Sequence, residues 1–356
     1  MMAMSVLFEP FQIRDMLVRN RFMRSATTSA YAEDNGVVND SIIKRYEHLS
    51  KGEIGIIVKG HLYVLDSGKA HDRMAGISSD KHIPMLKKLT DVVHKQGGHI
   101  FAQLNHAGVV HKPDRAGPSK YSEKNWTSRE MAEEEIEAII VSFGDAAERA
   151  IQAGFDGIQI HGAHGYLISQ FLSRDVNKRT DKWGGSLEKR MRLLNEVYDE
   201  IRGRLGNTPV LIKMNCDDFS PDGFTVNDAV KVAKNLADRG IDLIEISGGG
   251  RGDRDEFRPR AKHYDYPELD FAGHSMKIKA AIGNTPMGLV RGFTKLKTME
   301  KAVNEGLTDI ISMSRPFIRE TDLVKKLKKG QSKAMCIRCD ACDVNFGKTM
   351  MYCMLE

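Results

Sequence analysis

A (β/α)8 barrel, an α/β architecture, is the fold this sequence predicts. Strand-like and helix-like segments alternate eight times along the chain. At 356 residues the chain is long for one hydrophobic core unless the fold is a barrel of this kind. The third observation is local. Gly157-Ile158-Gln159-Ile160 has the period of a strand and runs straight into His161-Gly162-Ala163-His164-Gly165-Tyr166. Two imidazoles and a phenol thus sit on a strand-to-helix loop, where such a barrel presents chemistry to a ligand.

Each unit can be read in order. Arg21–Thr27 is the first strand, followed by a helix that Asp40 caps and Gly52 ends; Gly55–Lys59 is the second, ended by Gly60. A helix over Pro84–Gln96 stops at Gly97-Gly98 and leads into strand three, His99–Leu104, and then into loop material rich in Pro, Gly and Ser over 107–130. The helix from about Ala132 to Ala153 carries Ile136, Ile139, Ile140, Phe143, Ala147 and Ile151 at helical spacing before Gly154 ends it. Strand four is the opening stretch. Ser186 caps a helix to about Arg204, and strand five is Val210–Met214. A helix over Val226–Ala237 precedes strand six, Leu243–Ile246, then Gly248–Gly250 and a charged insertion from Arg251 to Tyr266. A helix near Ser275–Ile282, strand seven at Met287–Val290, a helix over Thr298–Glu305, strand eight at Asp309–Met313 and a helix over Phe317–Lys328 complete the series. The reading is one barrel domain, residues 1–330, with a Cys-rich extension, 331–356.

Composition narrows the function classes. A net charge of +5 with scattered basic residues gives no nucleic-acid surface. No apolar run approaches the roughly 20 residues a membrane span needs, and the start lacks a basic segment feeding an apolar one, so a cytoplasmic protein is expected. Only Cys216 precedes residue 335; Cys336, Cys339, Cys342 and Cys353 crowd the tail. Such clustering argues for a metal site in a reducing compartment rather than for a disulfide framework. The run Cys336-x-x-Cys339-x-x-Cys342, with ten residues before Cys353, offers four thiolates to a metal or cluster. Zinc held by four cysteines is the alternative. For His161 and His164, three readings stand side by side: a metal pair, satisfied loop residues, or donors to a substrate.

Five motifs in register carry a family resemblance: NRF..SAT at 20–27, AQLNHAG at 102–108, AGFDGIQIHGAHGYLISQFLS at 153–173, RTDKWGGSLEKR at 179–190 and SMSRPFIRE at 312–320. Together they resemble the Old Yellow Enzyme family of FMN-dependent oxidoreductases. The Cys-rich tail resembles the iron–sulfur branch of that family, which includes 2,4-dienoyl-CoA reductase and trimethylamine dehydrogenase, where a [4Fe–4S] cluster lies near FMN.

The resemblance implies site residues. Ser25, Ala26, Thr27 and Gly60 would line the flavin, Thr28 would sit near its reactive edge, and Gln103 would bind its pyrimidine ring. Lys213, where many relatives have arginine, would stabilise the anionic reduced flavin. A barrel-interior lysine paired with Asp217 or Asp218 is the plainer account of that residue. Arg291-Gly292 and Ser314-Arg315 would hold the phosphate at the ends of strands seven and eight, the usual phosphate corner of such barrels. His161 and His164 would donate to a substrate carbonyl oxygen, Tyr166 would protonate the α-carbon, and hydride would pass from flavin N5 to the β-carbon.

The expected activity is an NAD(P)H-dependent ene-reductase acting on an unsaturated carbonyl compound or thioester. An amine dehydrogenase of the trimethylamine type, or a flavin and iron–sulfur electron-transfer module, are the alternatives. Longer relatives continue into flavin- and nucleotide-binding domains, so electrons are expected directly from NADH or NADPH or through the cluster from an electron-transfer protein. Other expected partners are a small-molecule substrate and, for the assembly, a second copy of the chain, with neither nucleic acid nor membrane. Substrate identity is expected to depend on the 107–130 loop and the 248–266 insertion.

Overall fold

The computed structural model describes residues 5–123, 125–250, 268–339, 341–343 and 347–355. Eight parallel strands close into a barrel: β3 (Phe22–Thr27), β4 (Ile56–Tyr63), β5 (His99–Asn105), β9 (Gly157–Gly162), β10 (Val210–Asn215), β11 (Leu243–Ser247), β12 (Met287–Val290) and β13 (Ile310–Met313). Each pairs with its neighbour in sequence, and β13 returns to β3, so the expected (β/α)8, or TIM, barrel is the fold observed. The strands read as apolar runs because both faces are buried, one against the outer helices and one in the barrel interior.

The remaining strands are smaller. A hairpin of β1 (Phe11–Ile13) and β2 (Met16–Val18) precedes the barrel, and β6 (Ala116–Gly117), β7 (Tyr121–Glu123) and β8 (Trp126–Glu130) form a three-stranded sheet. This small sheet occupies the stretch expected to be loop. The charged insertion, 251–266, lies outside the described residues.

Side chains alternate in and out along each strand, and this parity layers the interior. Met23, Ile56, Val58, Phe101, Leu211, Leu243 and Ile310 form an apolar layer with Ile13 and Val18 of the hairpin, all fully buried. The hairpin therefore stoppers one end. Two residues further along the same strands come Ser25, Gly60, Gln103, Lys213, Glu245 and Ser312, a polar layer facing the other mouth.

Several boundaries differ from expectation. β4 does not end at Gly60 but continues to Tyr63, because a Cβ at Gly60 would stand 2.6 Å from the Ala26 Cβ and 2.8 Å from the Thr27 nitrogen. That glycine lets β4 approach β3 closely. Asn39, not Asp40, caps the first helix, its side chain accepting from the Ile42 N–H. Ser186 does cap its helix, but the segment breaks at Met191 into Leu187–Arg190 and Arg192–Leu205. The last predicted helix is likewise two, Arg315–Arg319 and Leu323–Lys328. The tail begins by pairing with the barrel: Leu296 donates its N–H to the Ser332 carbonyl, and Ala334 donates to Thr294.

Among the described residues, no helix is long and apolar enough to cross a membrane.

At the stoppered end, Asp156 receives the Ile100 N–H at 2.7 Å and pairs with His94 at 3.0 Å. Burial alone would raise this carboxyl, but hydrogen bonds from His94, His99 and Ile100 outweigh it and bring the pKa to about 2. A carboxyl depressed in the folded state stabilises above its unfolded pKa and loses that contribution as pH falls through the folded value. Asp156 is thus expected to contribute about 2 kcal/mol above roughly pH 4, lost between pH 4 and 2. Chemical denaturation from pH 5 downward should show a steeper loss in the natural protein than in Asp156→Asn; parallel curves would refute this.

Candidate active site

The open mouth leads to a cavity of about 200 Å³ lined at its floor by Ser25, Ala26, Lys213, Ser247 and Ser312. Strand parity brings Ser25, Lys213, Ser247 and Ser312 inward, and a buried carboxylate ties Ser25, Lys213 and Ser312 together. Glu245 accepts from Ser25 Oγ at 2.6 Å, Ser312 Oγ at 2.7 Å, Gln159 Nε2 at 2.8 Å and Lys213 Nζ at 3.2 Å. Burial would raise this carboxyl, yet the Lys213 charge and the three other donors hold it below the usual range. Lys213 therefore pairs with Glu245 rather than with Asp217 or Asp218. Gln103 donates to Gln159 at 2.8 Å, one step behind the cavity wall.

At the far end of the same cavity stand Arg291, Gly292, Ser314, Arg315 and Arg338. Arg291 and Gly292 are both left-handed, with φ of 82° and 83°. For a non-glycine residue this is a strained conformation of the kind found at ligand clamps, and Asp270 holds the Arg291 guanidinium at 2.7 Å. Guanidinium groups beside a serine hydroxyl suit a phosphate. The donor set thus fits a cofactor with a phosphate at one end and an electron-rich ring over Lys213 at the other. Thr27 is hydrogen-bonded to Ser314 at 2.6 Å but faces a neighbouring small cavity with Thr28 and Arg24.

His164, from the segment that follows Ile160, also lines this cavity, with the His161 ring 5.3 Å from its own and Tyr166 packed beside His161. His161 is buried, and its Nδ1 has no hydrogen-bond partner among the described residues. Burial, then the charges of His164, His61 and Lys213, push its pKa well below the ordinary value, so the imidazole is neutral. His164 takes a left-handed φ of 62°, fixed by its N–H to Asn215 Oδ1 and by a 2.7 Å contact of its Nε2 with Ser247 Oγ. Gln170 anchors the loop by donating to the carbonyls of Gly165 and Ala107. Tyr166 packs 5.0 Å from both the His61 and His161 rings.

Two further histidines complete the cage. His61 follows Gly60 on β4, and its ring lies 6.1 Å from that of His71, which in turn contacts Thr28 Oγ1 at 3.3 Å. Burial lowers the His61 pKa far below the ordinary value and that of His71 to about 4. Sequence reading missed both, along with Glu245, Ser247, Asn215 and Arg338.

Cys336, Cys339, Cys342 and Cys353 line one small cavity with Arg315, Arg319 and Arg338. Arg319 Nη1 stands 3.8 Å from Cys353 Sγ. Among the described residues, no group of three or more His, Cys, Asp or Glu side chains is spaced to hold a metal ion. Arg315 and Arg338 belong to both cavities, forming a common wall.

A barrel with a polar floor, a phosphate corner and a histidine-rich loop defines a cofactor-dependent oxidoreductase. Residues 6–334 match the NADH:flavin oxidoreductase / NADH oxidase family, and the chain belongs to it, as an FMN-dependent enzyme. It is 35% identical over 321 residues to an NADPH dehydrogenase of Geobacillus sp. (strain WCH70), covering 88% of this chain and 91% of the relative. It is 30% identical over 355 residues to an N,N-dimethylglycine/sarcosine dehydrogenase of Chromohalobacter salexigens, covering 96% of this chain but 51% of that protein. Among solved structures, 2-naphthoyl-CoA reductase in complex with 2-naphthoyl-CoA superposes with a TM-score of 0.91 at 30% identity, over 99% of this chain and 57% of that one. The chain thus spans little more than half of these two longer relatives.

Proposed function

We propose that the protein reduces the activated C=C bond of an unsaturated carbonyl compound or thioester, using NADH or NADPH as the ultimate donor. When bound, FMN would supply the hydride to the β-carbon. Ser314, Arg315 and Arg291 would hold its phosphate, Ser25 and Ala26 would line its ring, and Lys213 would stabilise negative charge on the reduced ring. His161, neutral and with an unmet buried nitrogen, binds the carbonyl oxygen together with His164 and stabilises its developing negative charge. Tyr166 donates a proton to the α-carbon, a role open to a phenol that stays protonated at neutral pH.

The observation that carries this reading is the convergence of neutral imidazoles and one phenol on the Lys213 floor. For the tail, the spacing Cys336-x-x-Cys339-x-x-Cys342 with Cys353 supports a [4Fe–4S] cluster, with zinc held by the four cysteines as the alternative.

The deciding experiment is anaerobic reduction by NADH or NADPH, then reoxidation with enones, enoyl thioesters and amines in turn. Reoxidation by an enone or enoyl thioester is expected. A flavin that amines reduce and enones leave untouched would overturn the proposal.

A further inference from the structure

Lys213 does not face the cavity as an isolated charge. Its ammonium donates to Ser25 Oγ at 2.6 Å and lies 3.2 Å from Glu245, which is wholly buried. Ser25 in turn donates its hydroxyl to Glu245 at 2.6 Å, so the three groups form a closed chain. With Ser312 and Gln159 also donating, the carboxylate receives four hydrogen bonds from β3, β9, β10 and β13. An acceptor so fully supplied by donors is an ionised carboxylate, since a protonated one would have to find an acceptor here. The floor therefore carries a fixed negative charge that nearly cancels the lysine.

We propose that Glu245 is a positioning residue that seats Lys213 and offsets its charge, holding down the reduction potential of the flavin above it. Reduction adds negative charge to the isoalloxazine, which a bare ammonium would stabilise strongly and a paired one stabilises weakly. A flavin held low gives up hydride readily, which suits weakly activated alkenes such as thioesters. The inference rests on the cofactor seat but not on the substrate, so failure of the enone panel would leave it standing.

The test is the midpoint potential of bound FMN, measured by dye equilibration without substrate, alongside FMN affinity and melting of each variant. Glu245→Gln should favour the reduced form by on the order of tenfold at fixed potential, as expected for unmasking one close buried charge pair. Glu245→Asp, which keeps the charge but draws it back, should move the same way by less, and serves where the glutamine variant does not fold. In a Lys213→Met background the Glu245→Gln shift should shrink, because the part that runs through the seating of the lysine is lost. An unmoved potential in FMN-loaded Glu245→Gln or Glu245→Asp protein, or an undiminished shift in the Lys213→Met background, would overturn the proposal.

Discussion

Tyr166→Phe slows reoxidation of the flavin by an enone by about 10²- to 10⁴-fold, the usual contribution of a positioned general acid, while its reduction by NADPH proceeds at the natural rate. The geometry makes this a clean substitution. The Tyr166 ring rests against both His61 and His161 and is only partly buried, so phenylalanine keeps the packing and removes the hydroxyl alone. His161 and His164 still bind the carbonyl oxygen, so substrate affinity should change little. Stopped-flow measurement of the two half-reactions separates these effects. Equal slowing of both would assign Tyr166 to the shape of the site rather than to proton delivery.

Cys339→Ser should empty the tail of iron and acid-labile sulfide while leaving FMN in the barrel. Cys339 shares its cavity with the other three tail cysteines, and a hydroxyl is a poor substitute for a thiolate at such a site. The tail is held to the barrel through Ser332 and Ala334, and Met335 donates its N–H to Glu320 at 2.6 Å, none of which depends on the thiols. The variant should therefore keep its far-ultraviolet circular dichroism and its flavin absorbance. Iron and sulfide analysis of anaerobically purified protein is the measurement. Stoichiometric zinc without sulfide in the natural protein would replace the cluster by a structural ion.

Much of this was legible in the residue order, and the reasons are physical. The barrel strands are buried on both faces, so each announces itself as an apolar run between turn signals. The hairpin at Phe11–Val18 does not, because three-residue strands are too short to show a period. Its role as a stopper becomes visible only when Ile13 and Val18 meet the layer under the barrel. Gly60 misled for a related reason. Glycine usually ends a strand, yet here it allows close packing against Ala26, and the strand that continues past it brings His61 into the cage. Glu245 was readable in principle: it lies two residues after interior Leu243, as Lys213 does after Leu211. Nothing local, however, distinguishes a buried hub from a solvated edge acid. Arg338 hid inside the cysteine spacing, and only the fold reveals that it also borders the cavity at the barrel mouth.

The hairpin that stoppers the barrel has one more effect. The barrel interior below the polar layer is filled by side chains, and the hairpin covers its far end. With Ile13, Val18 and the apolar layer sealing one end, this barrel is a cup. On the proposed reading, whatever brings electrons by direct contact and whatever carries them away would share one doorway and take turns.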